Sequence, residues 1–271
     1  CLNMTSPIEQ FTNMQNTLAG LTQGGSEALL TFGVPDMPLI KQDDDIGGIL
    51  VGKMAALGGL TNGDIVLVAS KAVSWSEEKD CRIDLSKITP SPEAIAISGR
   101  VKGKKTPELV QLIIDESVPG TLEVIEKVPV IIGINKASGC RITSSGVDKL
   151  GVDNKEAMIL PRNPDASAKR IMDKIKEIAL VEVAVILTDS EGRADRLGAG
   201  AIAVACAGIE PLRVTFDNSG KKAEETIVDF FANSAASLMG QRDKGVPAVV
   251  IRGHDYTFNP DANLKTALHY T

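Results

Sequence analysis

Aromatic side chains are scarce in this chain, at 3% of 271 residues, and Trp75 is its single tryptophan. A core built without them has to come from Val, Ile, Leu, Ala and Met. Positive charge is also in short supply. Lys and Arg number 29 against 35 Asp and Glu, a formal net charge of −6. That leaves no basic footprint for nucleic acid, and any phosphate ligand needs metal ions or local cationic groups. No run reaches the roughly 18 apolar residues that a membrane-spanning helix requires.

Cysteine and histidine are few and scattered. Cys1, Cys81, Cys140 and Cys206 form no CxxC pair and no close Cys/His cluster, which argues against a structural zinc site. Four cysteines in a chain of this length do not make a disulfide scaffold. They read as reduced, mostly buried thiols of a cytoplasmic protein. Cys1 in first position reads as a processed start rather than a lipid-anchored one, since no signal segment is visible. His254 and His269 lack the spacing of a metal pair, and a Ser–His–Asp hydrolase finds little support.

What is present is ordinary for a globular protein: 43% hydrophobic and 24% charged residues, in a length that fits one large domain or two ordinary ones. Residues 1–30 are rich in Thr, Gln, Asn and Gly and read as an N-terminal extension, with one short helix around Ile8–Leu18. The catalytic unit is expected over 31–271, organised from near Pro35. Asp43–Asp45 precede Ile46, Ile49, Leu50 and Met54, a helical pattern whose acidic start reads as capping on a solvated face. Short apolar runs predict buried strands at Ile65–Ala69, Val128–Ile134, Val183–Leu187, Ala201–Cys206 and Pro247–Ile251. Helices are predicted over Thr106–Val118, Asp165–Leu180 and Glu224–Met239, the last stopping at Gly240. The fold class is α/β (mixed α and β), without an internal repeat or an obvious linker.

Polar residues interrupt this apolar framework at a few places. Val183–Ser190 (VAVILTDS) is a strand that ends in Thr188, Asp189 and Ser190 and turns at Gly192. Such positions suit a ligand in a layered α/β fold, and Asp and Ser offer the hard oxygens that Mg²⁺ or Mn²⁺ prefers. A plain cap or Asx turn would use the same residues. Ser144–Asp148 (SSGVD) supplies a second isolated carboxylate. Gly198–Ala203 (GAGAIA) fits the dinucleotide fingerprint in form but follows a polar turn rather than a strand, and no GxxxxGK[ST] loop is present. Arg193 and Arg196 can bind phosphate or carboxylate, or pair with Glu191 or Asp195. Met239–Val246 (MGQRDKGV) can wrap an anion or stand as a charged loop.

Taken in order, these segments resemble the coenzyme F420-0:γ-glutamyl ligase family. The stretches that carry the resemblance are MPLI at Met37–Ile40 with KQDDDI after it, NGDIVLVAS at Asn62–Ser70 with KAVS, and DLSKITPSP at Asp84–Pro92. Further on come GVD at Gly146–Asp148, LPRNPDASA at Leu160–Ala168, LTDS at Leu187–Ser190, AGIEPLR at Ala207–Arg213 and LMGQRDKGVPAVVIRG at Leu238–Gly253. The ordered set spans about Pro35 to Gly253.

The resemblance implies an F420-0:γ-glutamyl ligase-like fold with two intertwined subdomains, assembled as a homodimer. It implies an amide ligase that adds L-glutamate to a carboxylate-bearing, F420-0-like acceptor through an acyl phosphate. Two divalent cations (Mg²⁺ or Mn²⁺) would serve it, with GTP as co-substrate and ATP as the alternative. Carried over by position, the metal ligands fall on Asp148, Asp189, Ser190 and Gln241, with Asp148 and Asp189 the catalytic pair. Ser190 stands where the family often has Thr. The nucleotide positions fall on Met37, Pro38, Leu39 and Ile40, on Ser70 and Lys71, and on Met239, Gly240, Gln241, Arg242, Asp243, Lys244, Gly245 and Val246. Arg193 and Arg196 match two arginines of the family's turn after the metal ligands.

The chain also departs from the family pattern. Trp75 takes the place of a Lys expected at nucleotide phosphate, and Gly151 that of an Asn. ASGCR at Ala137–Arg141 replaces a His/aromatic segment. Two other readings therefore stand beside the ligase: a non-catalytic nucleotide- or metal-binding homologue, and a different enzyme on the same scaffold. The second could be a phosphotransferase, and the ligase itself could act on another acceptor, such as a folate-like pterin.

Overall fold

Two hydrophobic cores organise the protein, and a five-stranded sheet runs through the larger one. The computed structural model describes residues 6–23, 27–102, 104–153, 155–241 and 244–269. The sheet is built from β1 (Leu30–Gly33), β2 (Ile65–Ala69), β3 (Ala184–Gly192), β4 (Ala199–Ala207) and β5 (Ala248–Arg252), in the spatial order β1-β5-β2-β3-β4. β2 and β3 run parallel, with Ile65 opposite Ala184 and Ala69 opposite Thr188. Every other neighbouring pair is antiparallel. Ile65, Val66, Leu67 and Val68 are all fully buried, which is why β2 reads as an unbroken apolar run: a strand covered on both faces has no polar side to alternate with.

The helices Pro164–Ala179 and Ile227–Met239 pack on the sheet, and Ile46–Met54 packs on Pro164–Ala179. Their starts follow from local chemistry. Asp45 caps Ile46–Met54 by accepting the Gly48 N–H at 3.0 Å, and Asn163 caps Pro164–Ala179 by accepting that of Ala166 at 3.2 Å. Pro164 takes a position where its missing N–H costs nothing.

The second core belongs to the segment between the short helix Ser70–Ser76 and Pro164–Ala179. Helices Pro92–Arg100 and Pro107–Glu116 pack on each other there, each opened by a hydroxyl cap, Ser91 or Thr106. Beside them lie two three-stranded sheets. One orders Arg82–Asp84, Glu156–Met158 and Asp148–Leu150; the other orders Glu123–Ile125, Val130–Ile134 and Arg141–Thr143. Trp75 packs against both cores, with the Arg82 guanidinium 5.8 Å above its ring.

The mixed α/β class is the one expected, and several boundaries move. β3 does not end at Leu187. It runs on through Asp189 and Ser190 to Gly192 because β4 pairs with it there, Ala201 opposite Ser190. The predicted helix Glu224–Met239 begins at Ile227, since Lys222–Thr226 instead pairs with Leu212–Phe216 as a hairpin. Cross-strand charge favours that pairing, with Arg213 bonded to Glu225 at 2.7 Å. Val128 and Pro129 form a turn, so the strand there starts at Val130. In the N-terminal stretch the helix is longer than expected, Pro7–Gln23, and Phe11 is buried edge-on against Phe32 with ring centroids 4.7 Å apart.

Cys81, Cys140 and Cys206 are free and buried; Cys1 lies outside the described residues. Burial pushes the Cys81 thiol up to about 11 and the Cys140 thiol up to about 12, with Cys206 also raised.

Candidate active site

A cavity of about 460 Å³ opens where the parallel strands β2 and β3 end, the position at which open α/β sheets present ligand sites. β2 runs directly into the helix Ser70–Ser76 and delivers Ser70, Lys71 and Trp75. β3 delivers Thr188, Asp189 and Ser190, and the facing strand β4 adds Gly200 and Ala201. From the connection after β1 come Met37, Pro38, Leu39 and Ile40; Leu39 is 82% exposed there, whereas Ile40 is rooted in the core. The end of the Ile227–Met239 helix contributes Met239, Gly240 and Gln241, then Gly245 and Val246 beyond. The inserted segment sends in Asp148.

One ion pair in this cavity spans the two cores. The Lys71 ammonium is ion-paired with the Asp148 carboxylate, both side chains half-exposed. Asp189 is pushed up to about 6, first by burial and then by the negative charge of Asp148. The Ser190 N–H, 2.9 Å from its Oδ1, the Ser70 hydroxyl and the Lys71 charge oppose that rise.

Asp148 is held by an unusual turn. Ser144, Ser145 and Gly146 are successive left-handed residues, with φ of 53°, 49° and 73°. Such backbone persists only where its surroundings over-determine it. Here Ser145 is fully buried, its Oγ lies 2.5 Å from that of Ser117, and its carbonyl accepts the Asn135 amide at 2.8 Å. A β-carbon at Gly146 would come within 2.8 Å of Leu160. On its other side this acidic edge borders a second cavity of about 200 Å³, lined by Thr143, Ser144, Gly146 and Gly192 as well as Asp148, Asp189 and Ser190.

These donors fit divalent cations of one kind. Two carboxylates, a hydroxyl and an amide are hard oxygen ligands. Among the described residues no group of three or more His, Cys, Asp or Glu side chains could hold a metal ion. A site with two carboxylates and neutral oxygens leaves several coordination positions open, as Mg²⁺ sites completed by substrate phosphates do.

Residues 35–253 match the family model described as F420-0:gamma-glutamyl ligase. The chain belongs to this family. It is 37% identical over 232 residues to the coenzyme F420:L-glutamate ligase of Methanothermobacter thermautotrophicus, covering 83% of this chain and 89% of that protein. The proteins of the same name from Methanocaldococcus jannaschii and Haloarcula marismortui are 34% and 33% identical over 82% and 83% of this chain, covering 87% of each relative.

Within this F420-0:γ-glutamyl ligase family member, most residues singled out from sequence meet in the one cavity. The exceptions are specific. Lys244 does not line it; its Nζ donates to the Ser237 carbonyl at 3.3 Å, folding back over the helix end. Arg242 and Asp243 lie outside the described residues. Arg193 and Arg196 line neither cavity and both pair with Asp195, at 3.0 and 2.9 Å. Gly151 is exposed and away from the cavity, with φ of 63°.

Sequence reasoning missed the supports of the turn before Asp148, namely Ser117 and Asn135, because nothing local marks a partner so distant in the chain. It also missed the β4 residues Gly200 and Ala201 as cavity wall. No helix among the described residues is long and apolar enough to cross a membrane.

Proposed function

We propose that this protein is a nucleotide-dependent ligase that joins the amine of L-glutamate to a carboxylate of an F420-0-like acceptor. The observation that carries the reading is that Asp148 and Asp189, supplied by separate cores, border one cavity together with Ser70, Lys71, Gln241 and the Met37–Ile40 segment. In the first step an acceptor carboxylate oxygen attacks the terminal phosphorus of the nucleotide, and the nucleoside diphosphate leaves. The glutamate amine then attacks the acyl carbon of the resulting acyl phosphate. Phosphate departs with the C–O bond electrons, the nitrogen loses a proton, and an amide remains. A carboxylate needs this activation because its own oxygen is a poor leaving group.

Lys71 brings positive charge to the phosphates in place of its pairing with Asp148. Asp148, Asp189, Ser190 and Gln241 would hold two Mg²⁺ or Mn²⁺ ions, which when bound neutralise phosphate charge and align attacking and leaving oxygens. The exposed Leu39, with Met37, Met239 and Val246, offers an apolar surface suited to a flat base. The family resemblance supports GTP over ATP, a homodimer, and a cytoplasmic setting in which the thiols stay reduced.

The test is nucleoside diphosphate release in the presence of Mn²⁺, with GTP or ATP, and with L-glutamate and acceptor supplied together or singly. Release that requires both, matched by amide product, is expected with coenzyme F420-0. Saturable binding without turnover identifies a binder. Phosphate transfer without amide identifies a phosphotransferase, and product only from a folate-like pterin moves the acceptor assignment.

A further inference from the structure

Three successive hydroxyls come shortly before Asp148, and two of them are already bonded. Thr143 Oγ1 donates to Glu191 at 2.9 Å and accepts the Gly192 N–H at 3.1 Å. Ser145 Oγ pairs with that of Ser117. Between them, Ser144 Oγ has no hydrogen-bond partner among the described residues, although Ser144 is only 7% exposed. It is not sealed inside the protein as Thr188 Oγ1 is, so it keeps access to the space it borders. That space is the 200 Å³ cavity, whose wall includes Ser144. The backbone there is strained as well. At φ 53° Ser144 holds a left-handed conformation that glycine adopts at far lower cost. A serine kept against its backbone preference, with a free hydroxyl at a cavity, points to a ligand.

The shape and charge of that cavity narrow what the ligand is. It meets the 460 Å³ cavity along Asp148, Asp189 and Ser190 and shares no other residue with it. The larger cavity holds Lys71 and the apolar surface suited to a nucleotide. The smaller one has neither. Apart from Val147 its wall is small, hydroxyl-bearing or acidic, with no Lys or Arg. It suits a short chain ending in a polar group rather than a nucleoside triphosphate. Attack on the terminal phosphorus requires the attacking oxygen roughly in line with the leaving diphosphate, on the other side of the phosphorus. A cavity that shares only the acidic edge with the nucleotide's is placed to supply that oxygen. With the divalent cations proposed above, this edge attracts a carboxylate and repels an ammonium, which favours the acceptor over the glutamate amine.

We propose that the smaller cavity receives the carboxylate end of the acceptor and that the Ser144 hydroxyl donates a hydrogen bond to it. This rests on the ligase reading above and adds to it a place for the acceptor and a residue that holds it.

The experiment compares wild type, Ser144→Gly, Ser144→Ala and Gly192→Val in three measurements. These are amide formation from coenzyme F420-0 and L-glutamate, calorimetric titration with GTP or ATP plus Mn²⁺, and thermal unfolding. Ser144→Gly removes the hydroxyl and suits φ 53°, so it should unfold no lower than wild type. The KM for coenzyme F420-0 is expected to rise about ten- to a hundredfold in both Ser144 variants, the range for a hydrogen bond to a charged group. A β-carbon at Gly192 would lie 3.5 Å from Thr143 Oγ1, an ordinary contact. Valine is therefore tolerated there, takes space from the cavity and should raise the same KM. Nucleotide affinity and the KM for glutamate should stay at their wild-type values. An unchanged acceptor KM in both Ser144 variants, or in Gly192→Val, overturns the assignment. A rise in the glutamate KM instead, or a loss of nucleotide affinity, puts another substrate in the cavity and overturns it too. If wild type forms no amide from coenzyme F420-0, the functional reading itself fails and the assignment falls with it, a result distinct from variants that behave like an active wild type.

Discussion

Lys71 and Asp148 clasp the two cores of the protein together at the candidate active-site cavity. One side chain rises from the first turn after β2, and the other leaves the strand Asp148–Leu150 of the inserted segment. The same carboxylate is proposed to bind a divalent cation, so the ammonium and the cation compete for it.

Lys71→Met should therefore separate two affinities. With the ammonium gone, Mn²⁺ binding in the absence of nucleotide is expected to tighten about two- to fivefold, the scale of an exposed ion pair. Nucleotide affinity is expected to fall in the same variant. Calorimetric titrations with Mn²⁺ alone and with GTP or ATP plus Mn²⁺ read both. Weaker Mn²⁺ binding in Lys71→Met would contradict the competition.

Asp189→Asn should trade function for stability. Burial and the Asp148 charge disfavour an ionised Asp189, and the amide removes that penalty. In the presence of a chelator at pH 8, the variant is expected to unfold at a higher temperature than wild type. Its turnover should fall by about a hundredfold or more, as expected when a ligand that positions phosphate charge is lost. A variant with full activity removes Asp189 from the site.

Gly146→Ala tests the turn that carries Asp148. The substitution puts a β-carbon on a residue at φ 73° and against Leu160, at a cost of about 1–3 kcal/mol. Denaturant titration should show that loss, and Mn²⁺ affinity should drop because Asp148 shifts. Unaltered stability would mean that the turn relaxes freely.

The pH dependence of stability has a contribution from Asp165, which accepts the N–H groups of Cys206 at 3.1 Å and Leu264 at 3.2 Å. Burial, the largest influence, raises its carboxyl above the ordinary value of 3.8 against those two bonds. A raised carboxyl contributes stability that is complete below its unfolded-state value and is lost as pH rises through the folded-state value. Asp165→Asn keeps both acceptor bonds without the charge. Its stability relative to wild type should thus increase from pH 4 to pH 7, read by urea unfolding at each pH. A difference that stays flat or falls over that range contradicts the assignment.

Much of this architecture can be read from local signals. Ile65–Ala69 was legible at both ends because Asp64 and Ser70 bracket a purely apolar run, and Asn163 with Pro164 announces its helix. Asp189 and Ser190 stood out as polar residues at the end of such a run. What stayed hidden depends on pairing between distant segments. Glu224–Thr226 reads as the start of a helix, and the charge of Glu225 makes sense only opposite Arg213. Asp148 carries no local mark of its meeting with Asp189, since Ser117 and Asn135, which brace the turn before it, come from another helix and loop. Lys244 looked like an anion ligand because its backbone attachment to Ser237 depends on how the helix end folds over.

The strand order sets a timetable for synthesis. β2 lies between β5 and β3, and β1 pairs with β5, so neither of the first two strands has a neighbour in the sheet until β3 begins at Ala184. The strands of the inserted segment, by contrast, find all their partners between Arg82 and Met158. Because domains fold as units while the chain emerges from its N-terminus, a nascent chain ending near Ala179 holds every residue of the small core's buried cluster and two unpaired strands of the large sheet. The strand that begins at Asp148 has its pairing partners before the sheet that supplies Asp189 can form.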